Sequence, residues 1–347
     1  MIDTNVLSKP PNFNRKHIIG SNQINNSHYI FATVYSKAQP KGKKYAINPN
    51  KISKNKNICK NYLLIEHHDK NALLYSDFNF EKIRNSYLLQ QKLAMHCPGI
   101  LPVYQIFDDK NEKKFQVATK FLKNGILSTY LPGFAAYPNH LYTYDKLDPT
   151  KKTIIMYGIA QTMNFIHSNR IFFRDLSPDN IFLDEEYHPY LSNFNRCIEN
   201  AKDSVLQNDI FNYSMIYIGL FGPIEIIQSN NSDDESSSDS NFYSIINVLS
   251  SMKYGARPRL DDKLDLTESQ KDALIKMWGK SQNRPTFSNI IQLFENGKLI
   301  FTGTDMDKFI EYKKLFTEKC QSYPDKLNDE IKEFCYQTSI CSENDDF

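Results

Sequence analysis

The spacing of apolar residues divides the chain into a strand-rich first part and a helical second part. Residues 28–48 form two β-rich runs around a Pro/Gly/Lys turn, and residues 100–122 repeat that layout around "DDKNEKK". Both stretches predict β-hairpins. Between them, residues 77–96 space their apolar side chains as a helix does, and Pro98 follows closely. We therefore expect one main helix, ending before that proline, among the strands.

Beyond about residue 124 the pattern becomes helical. Residues 150–169 carry apolar side chains at three- and four-residue steps, which predicts a buried stripe made of Ile155, Ile159, Met163 and Ile166. Residues 214–227 are mostly apolar but include a glutamate and a proline, so they predict a buried helix that ends near Pro223 and not a membrane span.

Two further helices are predicted near the end of this part by their N-terminal residues. Thr267 with Gln270, and Thr286 with Asn289, have the spacing at which a threonine and an amide side chain cap a helix start. Residues 229–241, "SNNSDDESSSDSN", are acidic and serine-rich with nothing to bury, which predicts a disordered insert.

Composition limits the classes of function. The chain has 347 residues, 40% of them hydrophobic, which is enough for a large core. A net charge of +2 gives no reason to expect nucleic acid or a membrane surface as a partner. The six cysteines form no C-x-x-C pair, and the N-terminus lacks the layout of a signal peptide. We expect reduced thiols and a cytoplasmic location, with a nuclear one as the alternative.

Three stretches resemble a protein kinase domain. "IIMYGIAQTMNFIHSNRIFFRDLSPDNIFLD" (154–184) resembles the long helix and catalytic loop of that family, and "KFLKNGILSTYL" (120–131) resembles its hinge. "YGARPRL" (254–260) and "IKMWGKSQNRPTF" (275–287) resemble its closing segments. Over roughly residues 13–300 the chain therefore resembles protein kinases, in particular the tyrosine-kinase-like group.

The resemblance implies an α+β, two-lobed fold. A small β-rich N-lobe with one main helix is expected over residues 15–122, and a large, mainly helical C-lobe over residues 123–302. An N-terminal extension (1–14) would precede them. A C-terminal tail (303–347), helical at first and then without a clear pattern, would follow.

The resemblance also assigns the catalytic positions. Asp175 matches the catalytic base, and Asn180 matches the asparagine that binds a metal ion. Asn193 stands where the family has the magnesium-binding aspartate of its D-F-G motif. Mg²⁺ prefers anionic oxygens, so a neutral amide there would bind it poorly. The two matching positions are also compatible with a purely structural role in the loop.

The lysine that anchors the ATP phosphates in the family is missing. In "YAIN" (45–48), Asn48 replaces it; in the other strand that fits, residues 71–78, the position falls on Leu74. Neither register gives a lysine. The rest of the implied nucleotide pocket is degenerate. The loop that covers the phosphates has a single glycine, and the bulky Phe182 would lie below the adenine. The residues implied to contact nucleotide are Gly20, Val34, Ala46, Thr119, Phe121 and Phe182.

The peptide platform of the family is missing as well. From Asn193 to Asp209, the aspartate expected to support the catalytic loop, the chain advances by 16 residues, too few for an activation loop and an A-P-E motif. Arg284, which pairs with the glutamate of that motif in the family, should therefore have another partner.

These losses favour a catalytically inactive pseudokinase that acts as a scaffold or an allosteric partner, with an active kinase as one candidate partner. No cofactor is required in this interpretation, and no metal site is expected. Two alternatives remain: a weak or unconventional ATP-dependent Ser/Thr kinase that uses Asp175 and Asn180, and a switch that binds ATP at low affinity without metal.

Overall fold

A computed structural model describes residues 18–24, 27–35, 58–68, 80–109, 114–131, 147–222, 226–227, 257–260 and 264–342. They belong to two compact units, which we treat separately. The N-lobe unit comprises Met1–Leu122, Asn193–Asn195 and Glu318–Phe347; the C-lobe unit comprises Lys123–Ser192 and Arg196–Thr317. The predicted extension (1–14) and acidic insert (229–241) lie outside the described residues.

The N-lobe unit contains a five-stranded sheet in the order β1-β2-β3-β5-β4. All neighbouring strands are antiparallel. The strands are β1 (Ile18–Ile24), β2 (Ser27–Tyr35), β3 (Ile58–His68), β4 (Val103–Asp109) and β5 (Lys114–Lys120). The last two form the hairpin predicted over residues 100–122.

The third strand differs from both registers that the sequence suggested. β3 pairs with β2 along one edge and with β5 along the other, so it fills the place predicted for residues 45–48 or 71–78. The assignment of Ala46 and Asn48, or alternatively Leu74, to this strand is therefore wrong. All three residues lie outside the described part of the chain.

One main helix, α1 (Phe80–Ala94), accompanies the sheet and ends before Pro98, as predicted. Its buried positions lie at helical spacing and include two polar side chains: Ser86, Tyr87, Gln90, Leu93 and Ala94. A buried polar group must find a hydrogen-bond partner, so this face does more than fill the core.

The C-lobe unit is mainly helical. It contains α2 (Pro149–Ser168), α3 (Asp203–Gly219), α4 (Glu268–Met277), α5 (Phe287–Glu295) and the first part of α6 (Met306–Ser342). The stripe predicted in α2 is fully buried. α3 ends ahead of Pro223, as its sequence indicated. With the helical content of this unit and the sheet of the other, the expected α+β, two-lobed kinase-like fold is confirmed.

The helix starts follow the predicted chemistry. Thr267 and Gln270 form a reciprocal capping box at the start of α4, and Thr286 with Asn289 forms another at the start of α5. Asp148 caps α2 by accepting the backbone N–H of Lys151 at 2.9 Å.

Two short strand pairs complete the described strands. β6 (Ile181–Leu183) pairs with β7 (Pro189–Leu191), and β8 (Ile226–Ile227) pairs with β9 (Arg257–Pro258). Both pairs are antiparallel. The first hairpin directly follows the stretch that resembles a catalytic loop.

The first turns of α6 pack on the C-lobe unit. Phe309 and Tyr312 are buried, and their rings lie 5.1 Å and 6.4 Å from the ring of Tyr157 on α2. Gly158 makes this approach possible, because a Cβ atom there would overlap Tyr312 Oη and lie 2.7 Å from Pro189 Cγ. The start of the C-terminal tail is thus part of the folded unit.

None of the helices in the described residues is both long and apolar enough to cross a bilayer.

Candidate functional site

The loop that resembles a catalytic loop is held by one buried carboxylate. Asp209 of α3 is fully buried, and its Oδ2 and Oδ1 accept the backbone N–H groups of Phe173 and Arg174, both at 2.9 Å. His167 Nε2 lies 3.0 Å from Oδ2. Asp209 therefore has the loop-supporting position that the sequence predicted, and it fixes the loop backbone just before Asp175.

Asn180 is bound into the same loop. It is 5% exposed, and its Nδ2 donates to the backbone carbonyl of Asp175 at 2.8 Å. Its backbone carbonyl accepts the backbone N–H of Ser192 at 2.9 Å. The side chain and backbone of Asn180 thus connect the loop to the segment after β7. This is the structural role that the sequence left open for it.

The carboxylate of Asp175 is partly accessible. Its Oδ1 lies 3.9 Å from Nη1 of Arg196, a side chain that is 70% exposed. An ion pair of that length with an exposed partner is worth at most about 1 kcal/mol. Arg196 was not singled out from the sequence, although it directly follows the degenerate D-F-G motif.

Asp179 provides a second carboxylate in this loop, and it was not singled out from the sequence either. Burial raises the pKa of Asp179, and the nearby negative charge of Asp175 raises it further, while a hydrogen bond from the buried Ser128 opposes the rise. Asp179 lies inside the quoted loop, but sequence alone gave no sign of its burial.

Phe182 occupies the middle of β6 and is 8% exposed. It pairs with Tyr190 across the β6–β7 hairpin and forms an isolated bridge with Ile126. Its buried aromatic side chain gives the C-lobe unit more bulk at this position than the smaller leucine that is common in kinases.

The segment that replaces D-F-G groups with the N-lobe unit. Asn193 has a φ of 65°, in the left-handed region that asparagine tolerates better than most residues. Asn195 Oδ1 contacts Ser86 Oγ of α1, which also lies 2.6 Å from the carbonyl of Ile83. This contact joins the segment to α1 within the N-lobe unit.

The middle of α1, where the family has a glutamate, carries no acidic residue. The single acidic residue of α1 is Glu81, in its first turn. Instead of an ion pair, two glutamines fix the helix: Gln90 Nε2 donates to the carbonyl of Leu101 at 2.8 Å, and Gln91 Nε2 to that of Val103 at 3.1 Å. These neutral bonds hold α1 without the charge that a kinase uses to position its lysine.

β3 supplies no lysine opposite the predicted pocket. Thr119 of β5 is fully buried, and its strand partner in β3 is Leu63. The one lysine of β3, Lys60, is three residues away from Leu63, which is roughly 10 Å along a strand, and pairs with Val34. The loss of the phosphate-anchoring lysine therefore stays a prediction, now attached to a strand that differs from both suggested registers.

The other residues predicted to contact nucleotide fall in both units. Gly20 and Val34 lie in β1 and β2, and the half-buried Phe121 follows β5, all in the N-lobe unit. Phe182 belongs to the C-lobe unit.

The donors at the predicted metal positions suit Mg²⁺ poorly. Asn180 and Asn193 both offer only a neutral amide oxygen to a metal ion. Magnesium needs anionic oxygens to replace the water it sheds reluctantly. Asp175 is the remaining carboxylate among the predicted positions, so the set falls short of the charge that magnesium-bound ATP requires.

Arg284 has found other partners, as expected. Its Nε donates to the carbonyl of Gly279 at 2.9 Å and its Nη1 to that of Gln207 at 3.2 Å. The guanidinium also lies over the ring of Phe211, 5.2 Å from its centroid. Backbone carbonyls and an aromatic face replace the missing glutamate.

Comparison with known families agrees with this geometry. A family model described as the protein kinase domain matches residues 32–337. The chain belongs to the protein kinase family. The match extends through β9 and covers most of α6, up to residue 337.

Individual curated proteins are similar only over short stretches. The serine/threonine-protein kinase PDK1 of Cryptococcus neoformans is 27% identical over 112 residues, which are 32% of this chain and 8% of that protein. The serine/threonine-protein kinase YPK3 of Saccharomyces cerevisiae is 27% identical over 121 residues, 35% of this chain and 21% of that protein. The cAMP-dependent protein kinase catalytic subunit of Dictyostelium discoideum is 26% identical over 101 residues, 29% of this chain and 14% of that protein.

Proposed function

We propose that this kinase-family protein is a pseudokinase, a catalytically inactive scaffold or allosteric partner in signalling. The observation that carries the proposal is Asn193 in place of the magnesium-binding aspartate. Two residues later, Asn195 contacts Ser86 of α1. Three independent parts of the phosphotransfer machinery are changed at once: the metal aspartate, the glutamate of α1 and the lysine of β3.

The retained parts support the same interpretation. Asp209 and Asn180 both make hydrogen bonds that the loop needs for its own conformation. Such bonds persist whether or not phosphate is transferred, so the loop can be kept for stability. Its motif pattern favours kinship with the tyrosine-kinase-like group, while two of the curated relatives above carry serine/threonine kinase names.

A weak ATP-dependent Ser/Thr kinase is the second candidate. It is favoured by Asp175, whose carboxylate is partly accessible in a loop with ordered backbone. A general base needs that access and that order. This candidate requires a metal and a phosphate anchor from other residues of the chain.

The partner in the proposed function is a protein, and an active kinase is the first to try. Nucleotide is at most a low-affinity ligand here, and Mg²⁺ is not needed. We place the protein in the cytoplasm, or in the nucleus, because Cys197 and Cys320 are thiols and not part of disulfides.

A thermal-shift titration with ATP, with and without Mg²⁺, tests the proposal. A ligand that binds the native state must raise its apparent stability. We expect no Mg²⁺-dependent shift. A shift that occurs equally without metal would favour a nucleotide switch, and one that requires Mg²⁺ would overturn the metal argument.

Phosphate transfer itself is tested with radiolabelled ATP and a general protein substrate. The matched control is Asp175→Asn, which removes the base and keeps the size of the side chain. We expect the wild-type protein and this variant to give the same background. Transfer that disappears in Asp175→Asn would establish the enzyme and end the pseudokinase proposal.

A further inference from the structure

The second part of α6 belongs to the N-lobe unit, although the helix begins in the other one. From Glu318 onward its residues group with the sheet and α1. Leu327 and Ile331, one helical turn apart, are 2% and 7% exposed. Glu330 lies on the same side of the helix because residues three or four apart are neighbours on its surface.

Glu330 contacts two strands of the sheet. Its Oε2 accepts the hydroxyl of Tyr104, on β4, at 2.8 Å. Its Oε1 lies 3.9 Å from Nζ of Lys120, the last residue of β5. Tyr104 is 5% exposed, so its bond to a carboxylate is shielded from water, whereas the ion pair is about one-third exposed on each side.

The two contacted strands lie at an edge of the sheet and directly before the segment that resembles a hinge. β4 is the last strand in the sheet order, and edge strands are commonly protected by a helix or a loop. β5 ends at Lys120, directly after the buried Thr119 and before the segment that resembles a hinge. A group that ties both strands to α6 therefore acts at the edge of the sheet and at the end of β5.

We propose that α6 from Glu318 onward is a latch on the N-lobe unit. It is closed when Glu330 bonds Tyr104 and Lys120 and its apolar neighbours Leu327 and Ile331 are buried. Opening the latch exposes those two side chains, loosens β4 and frees the end of β5. The latch is a regulatory element independent of catalysis, since none of its residues belongs to the phosphotransfer positions.

Hydrogen exchange of the full chain, followed by mass spectrometry, tests the latch. Glu330→Gln removes the charge and keeps the shape, and Asp329→Asn is its matched control, since Asp329 pairs with Lys332 on the exposed side of α6. We expect backbone amides of β4, of β5 and of residues 327–342 to exchange about tenfold faster in Glu330→Gln, because a shielded hydrogen bond to a charge is lost. Asp329→Asn should exchange like the wild type.

Tyr104→Phe provides an independent check, because it removes only the hydroxyl. It should accelerate exchange in the same peptides, and adding Glu330→Gln should cause little further increase. Both changes act on the bond between Tyr104 and Glu330, and the 3.9 Å pair with the one-third exposed Lys120 contributes little. Equal exchange in the wild type and Glu330→Gln would overturn the latch. So would equal acceleration by Asp329→Asn, or an acceleration spread evenly over β1–β5.

Discussion

The carboxylate of Asp209 accepts the backbone N–H of Arg174 at 2.9 Å, and Arg174 has a φ of 66°. A residue other than glycine in this left-handed region costs roughly 1–2 kcal/mol. Hydrogen bonds from backbone N–H groups to a buried carboxylate contribute about 1.5–3 kcal/mol each and so offset that strain. The conformation of the catalytic-type loop is thus maintained by α3, without any contribution from a substrate.

Asp209→Asn should destabilise the C-lobe unit. An amide presents one oxygen, so its NH₂ group would face a backbone N–H or the His167 ring, and a buried donor would lose its acceptor. We expect a loss of about 2–4 kcal/mol in the free energy of unfolding, measured by urea denaturation. Asp272→Asn, an exposed change on α4, is the control and should stay within about 0.5 kcal/mol of the wild type. Equal stability of the two variants would contradict the anchoring role.

Gly158→Ala tests the packing of α6 on α2. Alanine in a helix normally gains about 1 kcal/mol over glycine. Here its methyl group would overlap Tyr312 Oη and approach the Pro189 ring. Overpacking costs about 1–3 kcal/mol, so we expect net destabilisation in thermal unfolding.

Tyr312→Phe, combined with Gly158→Ala, tests whether the overlap with Tyr312 Oη causes the destabilisation. It removes the overlapping oxygen, so the double variant should recover part of the stability lost in Gly158→Ala. A stabilising Gly158→Ala would show that α6 does not pack tightly on α2 in solution.

Asp179→Asn should change how stability depends on pH. Burial raises the pKa of Asp179 in the folded state, so above the ordinary carboxyl pKa of about 4 the folded protein holds this proton more tightly than the unfolded chain does. The contribution of Asp179 to stability therefore falls as pH rises through the window between the ordinary and the raised pKa.

The asparagine variant lacks that titration. Its stability relative to the wild type should increase with pH across this window and then level off, as urea denaturation at a series of pH values would show. A difference between the two proteins that stays constant with pH would contradict a raised pKa.

The cysteines should differ in reactivity. Burial raises the pKa of the Cys197 thiol, and the charges of Asp209, Asp175 and Glu199 raise it further, so almost no thiolate is present near neutral pH. Cys320, on α6, is exposed. Peptide mapping after brief iodoacetamide treatment should find Cys320 labelled well before Cys197, and the reverse order would contradict the buried setting of Cys197.

Much of the helical fold could be predicted because its signals are local. The stripe of α2, the caps at Thr267 and Thr286 and the end of α3 before Pro223 each depend on residues a few positions apart. The catalytic-type loop and its supporting Asp209 could be predicted because they form a motif with fixed spacing.

The third strand could not be predicted in the same way. Residues 45–48 and 71–78 have a pattern that suits a strand, but β3 lies between them, at Ile58–His68. Which run enters the sheet depends on pairing with β2 and β5 at once, and a β pattern does not encode its partners.

The sequence by itself determined that this chain folds as a kinase domain, where several of its helices begin or end, and that Asn193 stands at the D-F-G aspartate position. The tertiary structure alone decided the register of β3, the contact between Ser86 and Asn195, and the bond of Glu330 to Tyr104, a residue 226 positions away. The reason is physical. Caps and periodic stripes arise from neighbours along the chain, whereas strand pairing and buried polar contacts depend on which distant segments the packed core brings together.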